Sequence, residues 1–192
     1  MPRLGGAFSL GRQLRMAHAF EPAATGRSKC RGCKQALQKG ELRFGERLPN
    51  PFGEGEVTHW FHPTCAAYKR PDALLEGLAA AAIEVAGRES LERIARLALA
   101  QHRLQRIDGA EISPTGQARC RSCKELIERG SWRIRLVFHE EGTFSPGGYL
   151  HLACREAYFE TADILEPLLH FSPALTNEER EALRDALGRS DA

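Results

Sequence analysis

The feature that most constrains this chain is a pattern of cysteine and histidine residues that occurs twice. All six cysteines fall into two groups of the same order, and each group opens with C-x2-C and closes with H-x2-C. The groups are Cys30, Cys33, His62 and Cys65, and then Cys120, Cys123, His151 and Cys154. The spacer between the two halves of a group has 28 residues in the first and 27 in the second. Three thiolates and one imidazole complete a tetrahedral zinc site, so the pattern predicts two zinc ions.

The composition of the ligand set also predicts the role of the metal. A site with four protein ligands leaves no position for a reactive water, which indicates structural zinc and no zinc catalysis. Three disulfides in a secreted domain are the alternative, but no signal peptide is visible and disulfides do not need paired C-x2-C and H-x2-C motifs. His59 competes with His62 as a ligand, and only His151 stands at the matching offset in the second group. The other histidines are interpreted as surface or packing residues: His18, His102, His139 and His170.

The two groups belong to an internal repeat of about ninety residues. The first two cysteines of each group are offset by 90 residues and the closing His and Cys by 89. Glu21 and Glu111 each lie nine residues before the first cysteine of their group. The chain of 192 residues is therefore predicted to be two copies of one module, over 20–107 and 110–189, preceded by a basic arm over 1–19.

The same series of elements is predicted in each copy, which indicates small α+β modules that depend on zinc for stability. A short helical or turn segment after C-x2-C ends at Gly40 or Gly130, and a strand follows. In the second copy the strand alternates: Trp132, Ile134, Leu136 and Phe138 face one side, and Arg133, Arg135 and Val137 the other. Loops are expected over 49–55 and 142–148, and the H-x2-C segment then opens a short helix. An amphipathic helix closes each copy, and Thr176 with Glu179 forms a capping box for the last one.

The charge of the chain is divided unevenly between the copies. The formal net charge is +2, but residues 1–107 carry 17 basic against 10 acidic residues and residues 108–192 carry 10 against 15, so the halves have net charges of +7 and −5. Basic residues cluster around both C-x2-C motifs and on the adjoining strands, an arrangement suited to a phosphate backbone. The candidate phosphate contacts are Arg27, Lys29, Arg31, Arg43, Arg47, Arg119, Arg133 and Arg135, with Arg43 and Arg47 expected on the exposed strand face. Phe52 and Phe144 stand in glycine-rich loops, either packed on their own module or free to stack on a base.

Both modules resemble the zinc fingers of poly(ADP-ribose) polymerase and DNA ligase III, which recognise DNA strand breaks. The matching stretches are Thr25-Gly26-Arg27-Ser28-Lys29-Cys30-x2-Cys33, Leu42-Arg43, the Pro51/Phe52 loop and Trp60-Phe61-His62-x2-Cys65. The resemblance implies a tandem pair of fingers, each with a short antiparallel sheet and helices around a Cys3His site. It implies phosphate contacts by Arg27, Arg43 and Arg133, and stacking by Phe52, Val57 and Phe144. The second module departs from the family's motif at Gln117 and at Tyr149-Leu150-His151.

Together these features predict a protein without enzymatic activity that binds broken, nicked or gapped DNA by shape. One rival interpretation is an adapter whose acidic second module recruits a separate repair enzyme. Others are a DNA-processing enzyme that uses zinc, and binding to RNA ends. The chain has no long apolar run, so no membrane partner is expected. An intracellular, DNA-associated location is expected, and arginine outnumbers lysine by 22 to 5 without a lysine-rich import cluster, which favours a prokaryotic cytoplasm over a nucleus.

Overall fold

A computed structural model describes residues 18–140 and 142–188, which form two three-stranded antiparallel sheets with helices packed beside each. The strand orders are β1-β2-β3 and β4-β5-β6. The strands are β1 (Ala19–Pro22), β2 (Leu42–Pro49), β3 (Glu56–Phe61), β4 (Ile107–Ile112), β5 (Trp132–Glu140) and β6 (Thr143–His151). The helices are α1 (Pro63–Lys69), α2 (Pro71–Ala80), α3 (Arg88–Ala100), α4 (Arg155–Phe159), α5 (Leu165–His170) and α6 (Asn177–Gly188). This confirms the predicted pair of α+β modules. Residues 1–17 of the predicted basic arm lie outside the described residues.

The first sheet is organised around a fully buried aromatic residue. Phe44 lies opposite Phe20 on β1 and Phe61 on β3, and both Phe44 and Phe61 have no exposed surface. The neighbouring residue Gly45 faces Trp60, and a side chain at this position would come within 2.6 Å of the indole ring. The strand therefore buries its aromatic residues on one face and stacks the indole closely against the other.

The second sheet follows the predicted alternation only as far as Leu136. The ladder shifts register between Leu136 and Val137, so Val137 is buried instead of facing away from the core. The loop predicted over 142–148 is also wrong, because β6 already begins at Thr143, directly after Gly142 with its φ of +75°. A long hairpin replaces the loop because its far end packs against the first module, a tertiary contact that local sequence does not report.

The helical predictions are confirmed. The H-x2-C segments open α1 in the first module and a short 3-10 turn followed by α4 in the second. The closing helices α3 and α6 bury one face each, with Leu91, Ile94 and Ala98 on α3 and Leu183 and Leu187 on α6. The capping box is formed as predicted: the Glu179 carboxylate accepts from the Thr176 backbone N–H at 2.9 Å, and the Thr176 hydroxyl accepts from the Glu179 N–H at 3.2 Å.

The two modules share one continuous hydrophobic core. The connection runs from α3 through a 3-10 turn at His102–Arg106 directly into β4, whose first residue Ile107 is fully buried. The side chain of Lys69, at the end of α1, is 1% exposed and donates to the carbonyl of Gln105 at 3.0 Å and to that of Ile107. The modules are therefore packed side by side, and the orientation of one relative to the other is set by buried contacts.

Candidate metal centres and nucleic-acid interface

Each predicted ligand set comes together as a compact group. In both Cys3His groups, the Cys30, Cys33, His62, Cys65 set and the Cys120, Cys123, His151, Cys154 set, all ligand atoms lie within 4.8 Å of one another. A tight turn carries the two cysteines of each C-x2-C motif, and it needs a positive φ at Lys34 (65°) and Lys124 (69°). The histidines stand where the last strand of each sheet gives way to a helix, so the sheet and the helix together position the second pair.

The surroundings of the ligands fit zinc. The Nδ1 atoms of His62 and His151 face cysteine sulfurs at 3.3 and 3.4 Å, while each Nε2 atom faces an acceptor. The acceptor is the Glu41 carboxylate at 3.5 Å in the first group and the Leu126 carbonyl at 3.1 Å in the second. Partners of this kind fix the tautomer and the orientation of a ligating imidazole. Both groups are therefore suited to zinc, as predicted.

One cysteine of each group, Cys30 or Cys120, has a lowered pKa, whereas the pKa values of Cys65 and Cys154 are raised. Hydrogen bonding from the neighbouring Cys33 and Cys65 thiols lowers the pKa of Cys30, and the backbone N–H of His62 donates to its sulfur at 3.3 Å. In the second group burial works against ionisation of Cys120, but backbone N–H groups that begin with that of His151 lower its pKa to about 7. Zinc binds the thiolate, so these hydrogen bonds prepare the sulfurs of Cys30 and Cys120 for the metal.

The two centres differ in their exposure to solvent. In the first, Cys30 and Cys65 are 0% and 1% exposed. In the second, Cys120 is buried but Cys123 is exposed and Cys154 half-buried. Cys33 and His62 are half-buried, so the first ligand set is not fully enclosed, but it is less exposed than the second.

Two of the candidate arginines on the strands, one in each module, are buried. Arg43 and Arg133 are only 8% and 5% exposed, so the expectation that Arg43 stands free on the strand surface is wrong. Each lies directly opposite a glutamate on the neighbouring strand, Glu21 or Glu111, and hydrogen-bonds to it. Each guanidinium also stacks on an aromatic ring at 3.6 Å, Trp60 for Arg43 and Tyr149 for Arg133. The carboxylate and the ring offset the cost of burying the charge, and they give each arginine a structural role within its sheet.

The remaining candidate phosphate contacts divide by exposure. Arg27, Lys29 and Arg31 are exposed around the first C-x2-C turn, and Arg119 is exposed at the corresponding place in the second module. Arg47 is half-buried, and so is Arg135, which bonds Glu111 at 3.0 Å and the carbonyl of Asp108 at 2.7 Å. The exposed cations are thus those of the turns, and not those of the strands.

The two loop aromatics lie in opposite environments. Phe52, between β2 and β3, is 95% exposed, and Val57 is half-buried in β3 opposite Leu48. Phe144 is instead half-buried against the first module, edge-on to Phe61 at 6.3 Å and beside His139 at 4.7 Å. The sequence left open whether these rings are packed or free. In the structure Phe52 is free and Phe144 is packed.

Sequence reasoning missed a set of polar residues at the junction of the modules. Glu46, 1% exposed, accepts from Arg70 Nε at 2.8 Å, and Arg70 Nη1 lies 3.1 Å from His139 Nδ1 in the other module. Burial, followed by the charge of Arg70, lowers the pKa of His139 to about 4, and burial lowers that of Lys69 to about 8. His59 is not a ligand; it packs against Gly142, where a Cβ atom would come within 2.6 Å of its ring.

The interpretation of His170 as an ordinary packing residue is incomplete. Its Nε2 lies 3.1 Å from the Sγ of Cys65, a predicted ligand in the other module, and burial lowers the pKa of the imidazole. The signal available in the sequence was weak: His170 and Lys69 are the last residues of two short helices, α5 and α1.

The chain is similar to known zinc-finger proteins, in agreement with the two Cys3His groups. Residues 21–102 match the family model of the poly(ADP-ribose) polymerase and DNA-ligase Zn-finger region. The chain is 25% identical over 159 residues to poly [ADP-ribose] polymerase of Drosophila melanogaster, which covers 73% of this chain and 16% of that protein. It is 26% identical over 137 residues to poly [ADP-ribose] polymerase 1 of Gallus gallus, which covers 63% of this chain and 14% of that protein. The family model thus matches the first module, which confirms the resemblance, and the second module repeats its ligand set and strand order.

The source of the relatives and the length of the helices both bear on the location of the protein. The relatives named above come from an insect and a bird, so they give no support to the expected prokaryotic source. Among the helices of residues 18–140 and 142–188, none has the length and apolarity needed to cross a bilayer.

Proposed function

We propose that this protein binds DNA strand breaks, nicks or ends by their shape and not by their sequence, through the first module. The proposal rests above all on Phe52, which is 95% exposed between two strands of a zinc-stabilised sheet. A large aromatic side chain held in water has no packing role, and the open end of a base-pair stack offers the apolar surface that it lacks.

The exposed cations of the same module also support a nucleic-acid ligand. Arg27, Lys29 and Arg31 are exposed around the first C-x2-C turn, and the N–H of Arg31 donates to the Trp60 carbonyl of β3 at 2.9 Å. The turn is thereby attached to the strand that follows the Phe52 loop. Exposed cations and an exposed aromatic ring in one module suit a duplex whose base stack is interrupted. Arg43 supports this surface indirectly, since it holds β1 against β2 through Glu21.

In this proposal the second module contributes little stacking. Phe144 packs on the first module, so any DNA contact of the second module comes from exposed turn cations such as Arg119. Its main contribution is to fix the first module, and neither module carries out a reaction in this proposal. A protein that binds broken DNA would take part in DNA damage sensing or repair. A separate repair enzyme would then act at the bound break.

A second candidate is an adapter that recruits such an enzyme through the second module. One observation favours it: α6 carries Glu178, Glu179, Glu181 and Asp185 against only two arginines, a surface that repels phosphate. Nuclease-resistant binding of a repair enzyme to the whole protein, with no affinity for nicked DNA, would favour the adapter over the break binder.

The test compares the wild-type protein with Phe52→Ala on nicked and intact circular duplexes of one sequence. A stacked base contributes about 1–3 kcal/mol, so we expect Phe52→Ala to weaken binding to the nicked circle by about tenfold or more and to leave intact DNA unaffected. Ile83→Ala is the matched control, because Ile83 is also an exposed apolar residue of the first module, at 45%. Fluorescence anisotropy gives the affinities. Equal affinity of the wild type for the two circles, or equal effects of the two variants, would rule out break recognition by Phe52.

A further inference from the structure

His170 lies in the second module but contacts a metal ligand of the first. It is the last residue of α5, and its Nε2 atom is 3.1 Å from the Sγ of Cys65, which is 105 residues away in the chain. Cys65 is 1% exposed, so no solvent is available to hydrogen-bond its sulfur. The second module therefore completes the surroundings of the first centre.

The chemistry of the centre calls for a donor at this place. Three thiolates and a neutral imidazole around Zn²⁺ carry a net charge of −1, and a buried anion must be hydrogen-bonded or paired. Cys30 receives the backbone N–H of His62 at 3.3 Å. A neutral imidazole has one N–H, and when that proton is on Nε2, His170 supplies the donor for Cys65.

The position of His170 is fixed by the packing of the two modules. Its ring lies 5.5 Å from that of Tyr68 on α1 and 4.7 Å from that of Phe171. Lys69, next to Tyr68, lies over the Phe171 ring at 4.4 Å and donates to the carbonyl of Gln105 at 3.0 Å. The helix that carries Cys65 is thus held against the second module beside the imidazole.

Among residues 18–140 and 142–188, the second centre has no corresponding arrangement. The residue equivalent to Lys69, 89 positions later, is Tyr158, a half-buried residue whose hydroxyl accepts from Arg106 at 3.1 Å. Cys154, the equivalent of Cys65, is itself half-buried. The donor from the neighbouring module is therefore specific to the first centre.

We propose that His170 is a positioning residue of the first zinc centre, which donates its Nε2 proton to the Cys65 thiolate across the junction of the modules. Zinc retention at this centre and docking of the second module then stabilise each other, because a coupling between two equilibria acts equally in both directions. The inference rests on the zinc sites and does not depend on DNA binding.

The first test measures thiol alkylation in the full-length, zinc-loaded protein, with mass spectrometry resolving the cysteines of the two centres. His170→Phe keeps an aromatic ring beside Tyr68 and removes the N–H, while His170→Gln keeps an N–H. Loss of a hydrogen-bond partner of a metal ligand costs about 10–100-fold in metal affinity. We therefore expect His170→Phe to speed modification of Cys33 and Cys65 at least tenfold, His170→Gln to restore part of the protection, and the second centre to be unchanged. His102→Phe, an exposed site, is the matched control.

Three results would overturn the proposal: no change in His170→Phe, equal acceleration at both centres, or equal loss of protection in the Phe and Gln variants. A second measurement needs no substitution. Long-range ¹H–¹⁵N spectra of the zinc-loaded wild-type protein report the tautomer of His170, and we expect the proton on Nε2. A proton on Nδ1 with a bare Nε2 would exclude donation to the sulfur, even if the variants failed to fold.

Discussion

The two modules have the same zinc ligands and the same strand order, but they differ in which of their residues are buried. In the first, the metal ligands Cys30 and Cys65 are buried while the hairpin residue Phe52 projects into solvent. In the second, Cys123 is exposed at the metal centre while Phe144, at the end of the hairpin, is half-buried against the first module. A repeated metal site therefore preserves the fold of each copy, and the packing of one copy on the other decides which surface remains available to a ligand.

The difference arises from a few positions of the junction. The hairpin of the second module reaches His59 with Gly142 and Phe61 with Phe144, whereas the corresponding loop of the first module ends in solvent at Phe52. Docking of the second hairpin therefore covers Phe144. The second module thereby stabilises the first through Phe144, while Phe52 of the first module stays exposed.

The largest effect is expected from removing one zinc ligand in each module. Structural zinc in finger peptides contributes about 10–16 kcal/mol of binding free energy. Cys65→Ala should abolish the first zinc site and, through α1, the docking of the second module, so that cooperative unfolding is lost. Cys154→Ala, at the open centre, should lose one zinc per chain and leave a cooperative transition. Zinc content by mass and thermal unfolding by circular dichroism provide the measurements. Equal damage from the two substitutions would contradict the difference between the centres.

An intermediate effect is expected from shortening the two hairpin aromatics. Phe144→Ala should lower the free energy of unfolding by about 2 kcal/mol, less than the loss for a fully buried phenylalanine, because the ring is half-buried. Phe52→Ala should change it by less than about 0.5 kcal/mol, as is usual for surface residues. Urea titration of both variants checks this. Comparable destabilisation would mean that the two loops are packed alike.

The smallest effect is expected from a methyl group at the hairpin contact. Gly142 and Gly55 both have positive φ angles, +75° and +90°, so alanine is strained at either position, by about 1 kcal/mol. Only at Gly142 would the new Cβ also meet another side chain, the His59 ring, whereas nothing lies within 4 Å of such an atom at Gly55. Gly142→Ala should therefore lower the melting temperature further than Gly55→Ala. Equal shifts in differential scanning fluorimetry would indicate that the hairpin does not rest on the first module.

Much of the fold could be predicted because its signals are local. The spacing of Cys30, Cys33, His62 and Cys65 predicts a closed zinc site, and Thr176 with Glu179 predicts the start of α6. The nine-residue offset of Glu21 and Glu111 marked the repeat, and in the structure these residues pair with Arg43 and Arg133. That pairing was not predicted, because a charged residue in an alternating strand is expected to face water and its carboxylate partner lies on another strand.

The sequence by itself determined the two zinc ligand sets, the repeat and the α+β character, because ligand chemistry and hydrophobic periodicity act over short stretches of chain. Only the tertiary structure decided that Phe52 is free and Phe144 covered, that Arg43 is an internal partner of Glu21, and that His170 reaches Cys65. These facts depend on how the second module packs against the first. Such a meeting is set by contacts between residues far apart in the chain, for which no local pattern exists.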